Sequence, residues 1–259
     1  MPFYEVDGDA PARVVLEQTG PTKFRILEPF RYDDEHTGES FVVPDPRWGD
    51  QETDLASVPG ILQWFVPRYG QHTLPALLHD QLVDHDLVDR REYADRIFRD
   101  AMGEQGVRFV RRWLMWTAVS IATIVKGRRW TLLPIVVWLL GFAALAFRLT
   151  PPFASWSVWP FSALSGVPWW TAAIAAVAGP PVLGAMWTRR YLVGVISAYG
   201  AFLFAVPLVA IVLALGVYWS LEWAMRSLDS RKGRSRVAGE PPPARAAVVA
   251  QADDERADD

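Results

Sequence analysis

The sequence predicts an α+β domain, with short antiparallel strands followed by three to four helices, and then a helical transmembrane region of about three hydrophobic segments. Two observations carry this prediction. Charged residues are concentrated in the first half and near the C-terminus of the 259 residues, with few between. Within the first half, short alternating apolar runs give way to apolar residues at helical spacing. We expect a soluble domain over residues 1–126, transmembrane helices over 127–225 and a disordered, charged and proline-rich tail over 226–259.

The composition excludes several classes of function. The formal net charge of -3 and the pI near 5.8 imply no basic face for nucleic acid, so no nucleic-acid partner is expected. The sequence contains 0 cysteines, which excludes disulfides, thiol nucleophiles and cysteine-ligated zinc. The first residues show no basic start followed by an apolar run, so a signal peptide is not expected.

The strands are predicted within the first 54 residues. Alternating apolar residues occur in ARVVLEQTG and in TKFRILEPF, with a break at Gly20 and Pro21 between them. The polar run DDEHTGES predicts a turn. A third strand, SFVV, is stopped by Pro44 and Pro46 because proline donates no hydrogen bond to a sheet.

Helices follow the strands. A short one is predicted after TDLASVP, and a longer one is predicted to open at His72–Pro75 and to continue through PALLHDQLVDHD. The next, in DRREYADRIFRDAMGEQG, has a capping box of Asp89 and Glu92 and stops at Gly103 and Gly106. A further helix from near Val107 to Val125 has an apolar part too short to span a bilayer, so we interpret it as a core helix.

Three apolar segments then reach the length that a membrane-spanning helix needs: 130–147, 168–187 and 191–221. They show no polar face, and tryptophans at their edges are typical of an aromatic belt at the membrane interface: Trp130, Trp156, Trp159, Trp169, Trp170, Trp187, Trp219 and Trp223. We therefore expect a multi-pass protein of the cell membrane whose first partner is the lipid bilayer.

The orientation is predicted from the basic residues. Lys126, Arg128 and Arg129 directly precede the first segment, which favours a cytoplasmic N-terminal domain. Residues 179–181, Gly-Pro-Pro, leave open whether the second segment crosses fully or re-enters on the same side. The side of the C-terminal tail stays open with it.

Two motifs carry residues capable of chemistry. TDLASVP contains Ser57, while LLHD and YADRIF supply His79, Asp80 and Asp95 on successive helices. His79 lies on the core-facing side of its helix, so its ring nitrogens need hydrogen-bond partners. Asp95 could be one of these partners. A His–Asp pair with a second carboxylate, Asp80, beside it is how a general base and a cation ligand are built.

These motifs in this order resemble the domain-of-unknown-function family 1353, which occurs in phages and bacteria. The resemblance covers roughly residues 21–120. Gln81 and Val83 stand where that family often has aromatic residues. The resemblance implies a fold and a site around the His–Asp motif, but it brings no established activity.

The same arrangement is similar to that of secreted phospholipase A2. That similarity implies His79 as the base, Asp80 as a calcium ligand and Asp95 as the group that orients the histidine. The alternative is that the three residues form a buried polar lock between two helices, which is the usual role of satisfied buried polar groups.

Other candidates are weaker. Ser57 could be a nucleophile with His79 and Asp95, but it is also placed to cap the helix that follows it. Three carboxylates and a histidine could bind a cation or form a solvated turn: Asp84, His85, Asp86 and Asp89. His36 and His72 are isolated and are interpreted as inert.

Two hypotheses for function follow. The first is a non-catalytic, membrane-anchored module that faces the cytoplasm and acts through protein partners. The second is a metal-assisted hydrolase that uses His79 with Asp80 and Asp95, acting on lipid because the domain sits beside a bilayer.

Overall fold

The structure is a computed structural model that describes residues 3–21, 23–48, 52–53, 65–67, 69–84, 91–150, 166 and 168–239. By its internal contacts the chain divides into two units, residues 1–208 and 209–259. Among the described residues, the first unit contains six strands and five complete α-helices, and the second unit is entirely helical.

Six short strands form two antiparallel sheets. They are β1 (Phe3–Glu5), β2 (Leu16–Gln18), β3 (Phe24–Ile26), β4 (Phe30–Asp33), β5 (Ser40–Val43) and β6 (Glu52–Thr53). The first sheet has the order β1-β4-β5, and the second has the order β2-β3-β6. The turn predicted in DDEHTGES joins β4 to β5, and β5 ends directly before Pro44, as predicted.

The strand prediction needs two corrections. TKFRILEPF is not one strand: β3 ends at Ile26, the chain bends, and β4 begins at Phe30 in the other sheet. Pro29 lies in this bend, where its missing N–H costs the sheets no hydrogen bond. The strands β1 and β6 were not predicted because each is only two or three residues long and is defined by distant partners, Tyr32 for Phe3 and Phe24 for Thr53.

The first sheet turns its apolar face to the helices. Phe3, Phe30, Tyr32 and Val43 are each at most 1% exposed, and Phe3 packs its ring 4.8 Å from that of Tyr32. The burial of a side chain of this size stabilises the fold by about 1.5–3 kcal/mol. The helical side of this core consists of Leu77, Leu78, Leu82, Val83, Ala94, Ile97 and Ala101.

Three helices complete the domain: α1 (Thr73–Asp84), α2 (Arg91–Glu104) and α3 (Phe109–Gly127). The end of α2 is set by Gly106, whose φ of 74° is a left-handed conformation that favours glycine. The N–H of Gly106 donates to Gly103 and that of Val107 donates to Met102, the two hydrogen bonds of a Schellman cap. The predicted cap of α2 at Asp89 and the short helix after TDLASVP lie outside the described residues.

The apolar region begins with α4 (Leu132–Leu149) and continues with α5 (Trp169–Gly184) and α6 (Tyr191–Gly239). Between α5 and α6 lies a 3-10 segment, Ala185–Arg190, in which Thr188 has a non-helical φ of 50°. The chain reverses there, since the hydroxyl of Tyr199 on α6 donates to the carbonyl of Val177 on α5.

Within the described part of the chain, two helical stretches are long and apolar enough to cross a membrane, Arg129–Leu149 and Trp169–Ser227. The predicted number of three segments is therefore not confirmed. The helices α5 and α6 belong to one apolar stretch, Trp169–Ser227, which contains the break at Thr188. Five tryptophans of the predicted belt are exposed, whereas Trp187 is partly buried against Trp138: the exposed ones are Trp130, Trp169, Trp170, Trp219 and Trp223. The predicted disorder of the tail stays a prediction; α6 continues to Gly239, and residues 240–259 lie outside the described part.

Candidate functional site

The first residue of the site, His79, is placed by the helix α1. The start of α1 is fixed by Thr73, whose N–H donates to the carbonyl of Gly70 and whose hydroxyl accepts from the N–H of Gly70 at 2.8 Å. Pro75 fits the first turn because an N–H there needs no partner in the helix. Leu78 is fully buried on the core face of α1, and His79 lies at the border of that face with 12% of its side chain exposed.

The second residue, Asp95, is placed by α2 and is almost completely buried. The Nε2–H of His79 donates to Oδ1 of Asp95 at 2.9 Å, and only 4% of the Asp95 side chain is exposed. The His79 ring also packs against Phe98, one turn further along α2, with ring centroids 5.0 Å apart. The sequence predicted this contact, and the structure contains it.

The pair has a defined chemical capacity. A carboxylate that accepts from Nε2 holds the imidazole in one tautomer and leaves Nδ1 as the nitrogen that would take a proton. The same bond also satisfies a carboxylate that would be costly to bury alone. Geometry of this kind therefore serves either a general base or a lock between α1 and α2.

Asp80, the predicted calcium ligand, follows His79 on α1 and is partly exposed. Its Oδ2 accepts from the hydroxyl of Thr53 on β6 at 3.5 Å, so it contacts the second sheet. Among the described residues, no three or more His, Asp or Glu side chains form a group that could hold a metal ion. The role of Asp80 as a ligand stays a prediction.

Several of the predicted site residues lie outside the residues that the structure describes. Ser57 and the rest of the TDLASVP motif after Thr53 lie outside the described residues, as do His85, Asp86 and Asp89 and the side chain of Asp84. The predicted roles of these residues, including the nucleophile hypothesis for Ser57, stay untested.

The two isolated histidines differ in their surroundings. His72 is 1% exposed, and its Nε2 lies 2.8 Å from the carbonyl of Pro67. Burial lowers the pKa of His72, a shift that the Pro67 hydrogen bond opposes and the nearby charge of Arg111 reinforces. His36 lies in the β4–β5 turn with most of its side chain exposed.

Sequence reasoning missed a polar network beside α2. Asp34 is 5% exposed and accepts from the hydroxyl of Thr37 at 2.7 Å and the N–H of His36 at 3.0 Å. The hydroxyl of Tyr93 donates to Glu39 at 2.6 Å and lies 3.5 Å from Asp34. The available signal was the Asp-x-x-Thr spacing of an Asx-type turn in DDEHTGES.

The pKa values of this network shift in opposite directions. Burial would raise the pKa of Asp34, but the bonds from Thr37 and His36 and the nearby Arg96 lower it below its ordinary value. Burial raises the pKa of Glu104 on α2, in spite of the hydrogen bond that it accepts from Tyr32 at 3.2 Å. The buried Tyr32 hydroxyl also has a raised pKa, first through burial and then through the charge of Glu104.

Gln81 is a further residue whose role sequence reasoning missed. Its side chain is buried between α1 and the end of β5, where its Nε2 donates to the carbonyl of Val42 at 2.7 Å. Its Oε1 accepts from the N–H of Asp45 at 2.8 Å. The two bonds tie the helix that carries His79 to β5 and to the segment directly after it.

The fold and this site define a class of protein: a small α+β domain with an interhelical His–Asp pair, in one chain with long apolar helices. Within that class, residues 24–119 match the family described as Protein of unknown function (DUF1353). The predicted resemblance is thereby confirmed for the N-terminal half. No curated protein and no solved structure was found to match the chain.

Proposed function

We propose that the protein is a multi-pass module of the cell membrane whose α+β domain faces the cytoplasm and acts through protein partners without catalysing a reaction. The observation that carries this proposal is the closed contact of His79 and Asp95, with 12% and 4% of their side chains exposed. A general base must reach its substrate or a water, and a satisfied pair packed between helices serves the stability of the fold. The family resemblance favours a bacterial or phage-related source.

The orientation is supported by basic residues at the membrane ends of two helices. Lys126, Arg128 and Arg129 are exposed directly before α4. Arg190, at the end of the 3-10 segment, forms an ion pair with Glu92 on α2 and so lies beside the domain. Cations on the domain side of the bilayer favour a cytoplasmic domain.

Cysteine labelling tests the orientation directly, since the chain contains 0 native cysteines. A cysteine at the exposed Leu27 of the domain should react with a membrane-impermeant maleimide only after the cells are opened. A cysteine at the exposed Gly166, between α4 and α5, should react in intact cells. The opposite pattern would overturn the proposed topology, and a cysteine at Asp259 assigns the side of the tail.

The hydrolase remains a second candidate because one observation favours it. The 2.9 Å bond between His79 and Asp95 fixes the tautomer that a general base requires, and Asp80 is partly exposed next to them. Calorimetric titration of calcium into the purified full chain tests this candidate. Binding that Asp80→Asn abolishes, together with calcium-dependent hydrolysis of phospholipid vesicles, would replace the non-catalytic proposal.

A further inference from the structure

An apolar surface with basic residues lies at one end of the domain, where α2 gives way to α3. It consists of Tyr69, Arg108, Phe109, Val110 and Arg111, and we refer to it as the basic apolar surface. Tyr69 is 73% exposed, Phe109 66% and Val110 63%. Of the large apolar side chains described as exposed before Trp130, all except Leu27 belong to it. The segment that precedes Tyr69 adjoins the start of α3, because the guanidinium of Arg111 lies 5.9 Å from the ring of Phe65.

The arginines of this surface are available to an external anion. Arg108 is exposed and Arg111 is partly exposed. In the part of the chain that the structure describes, neither arginine forms a salt bridge with a carboxylate, whereas Arg31, Arg47 and Arg99 do. Exposed aromatic and aliphatic side chains beside unpaired arginines are typical of surfaces that rest on lipid headgroups.

The position of the surface favours the bilayer over another occupant. Phe65 packs its ring 4.9 Å from that of Phe204 on α6. Leu114, one turn after Val110 on α3, is packed so closely on Gly200 of α6 that a Cβ there would lie 3.2 Å from its Cδ2. The surface therefore adjoins a helix that belongs to the apolar region, and is continuous with the side of the domain that this helix already covers.

We propose that the basic apolar surface binds the bilayer itself, with Phe109, Val110 and Tyr69 in the interfacial layer and Arg108 and Arg111 on anionic lipid phosphates. Guanidinium groups form paired hydrogen bonds with phosphate oxygens, and exposed aromatic rings are stable at headgroup depth. The domain is then held against the membrane at this end and is not free on a flexible tether. This inference rests on the proposed membrane anchoring.

The test uses the full chain reconstituted into vesicles of phosphatidylcholine, with or without a minority of phosphatidylglycerol. A spin label on a cysteine at Phe109 should be accessible to oxygen and protected from a water-soluble nickel complex in the anionic vesicles. A label at Leu27, directly after β3, should stay accessible to the nickel complex in both. The double change Arg108→Gln and Arg111→Gln should lower the docked-to-undocked ratio by about thirty-fold. Arg13→Gln, at another exposed arginine, should leave the ratio unchanged.

The outcomes separate this inference from the anchoring on which it rests. If the chain does not float with the vesicles, the proposed membrane anchoring is wrong. A chain that floats, but whose label at Phe109 is as accessible to nickel as that at Leu27, overturns the docking surface alone. Protection of the Phe109 label that is equal in vesicles with and without phosphatidylglycerol overturns the headgroup contact. Protection that rises with protein concentration assigns the surface to a second copy of the chain and also overturns the proposal.

Discussion

At the scale of single residues, the contact between His79 and Asp95 was predictable because both residues lie at the borders of apolar stripes on consecutive helices. Packed helices meet at those borders, so polar residues there face each other. The roles of Gln81 and Asp34 were not predictable in the same way. Gln81 bonds to the backbone at Val42 and Asp45, and those partners depend on where the first sheet ends relative to α1.

The first prediction concerns the contribution of the His79–Asp95 pair to the stability of the domain. His79→Ala leaves the Asp95 carboxylate buried without its partner, so we expect the domain to lose about 1–3 kcal/mol of stability. Hydrogen exchange of the α1 and α2 amides in the full chain measures this loss. His36→Ala, at an exposed histidine in a turn, is the matched control and should have little effect. If the two variants exchange alike, the His79–Asp95 pair is not a lock.

The second prediction concerns pH and Glu104, whose folded pKa is raised by burial. The folded state keeps this proton at pH values where the unfolded state, with an ordinary pKa of 4.5, has lost it. Stability therefore falls as the pH rises from 4.5 through the folded pKa. Glu104→Gln should remove this loss, so the variant should be more stable than the parent chain at neutral pH.

A second variant at the same contact should change the pH dependence of stability in the opposite direction. The hydroxyl of Tyr32 donates to Glu104 and opposes the rise in the carboxyl pKa. Tyr32→Phe removes that bond, so the loss of stability with rising pH should become steeper. Hydrogen exchange at a series of pH values, corrected for the intrinsic exchange rate, measures both slopes. Equal slopes in the two variants would contradict the role given to Glu104.

At the scale of elements, the helices were better predicted than the strands. The start of α1 and the end of α2 follow local signals, Thr73 and Gly106, which act within one turn of the helix. The strands depend on partners far apart in sequence, such as Phe3 with Tyr32, and no local pattern specifies that pairing. The break at Thr188 was also unpredictable, since a β-branched residue with a positive φ is uncommon.

The third prediction tests the reversal between α5 and α6. A Cβ at Gly194 would lie 2.6 Å from the ring of Trp187, which itself packs 5.7 Å from the ring of Trp138 and has little room to move. Gly194→Ala should therefore push Trp187 and its 3-10 segment away from α6 and destabilise the apolar region by about 1–3 kcal/mol. The measurement is the thermal midpoint of the full chain in detergent micelles.

Gly141 on α4 provides the control for that substitution. Nothing lies within 4 Å of a Cβ placed there, and alanine favours a helix over glycine. Gly141→Ala should leave the thermal midpoint unchanged or raise it slightly. A Gly194→Ala variant with the same midpoint as Gly141→Ala would show that Trp187 of the 3-10 segment does not pack on α6 in this way.

At the scale of the whole molecule, the sequence separates a domain from an apolar region, and the structure adds that α3 contacts both. Met115 is buried in the core of the domain with Phe98 and Met102, whereas Leu114 packs on Gly200 of α6. The interpretation of α3 as a core helix is thus correct for one of its faces only. The contact of α3 with α6 could not be predicted from the sequence, because an apolar residue gives the same pattern whether the domain or another helix covers it.

The last prediction is that residues 1–126 fold without the rest of the chain. The core of the domain, from Phe3 to Met115, is closed by its own strands and helices, so the fragment should keep its fold. Removing α6 exposes Leu114, however, and an uncovered apolar face promotes association. Leu114→Gln in the fragment should therefore give a monomer that melts cooperatively. Met115→Gln, its neighbour at 9% exposure, should instead bury a polar group and destabilise the fold. Sedimentation and circular dichroism distinguish the two variants, and an aggregating, non-cooperative Leu114→Gln fragment would place the domain boundary beyond residue 126.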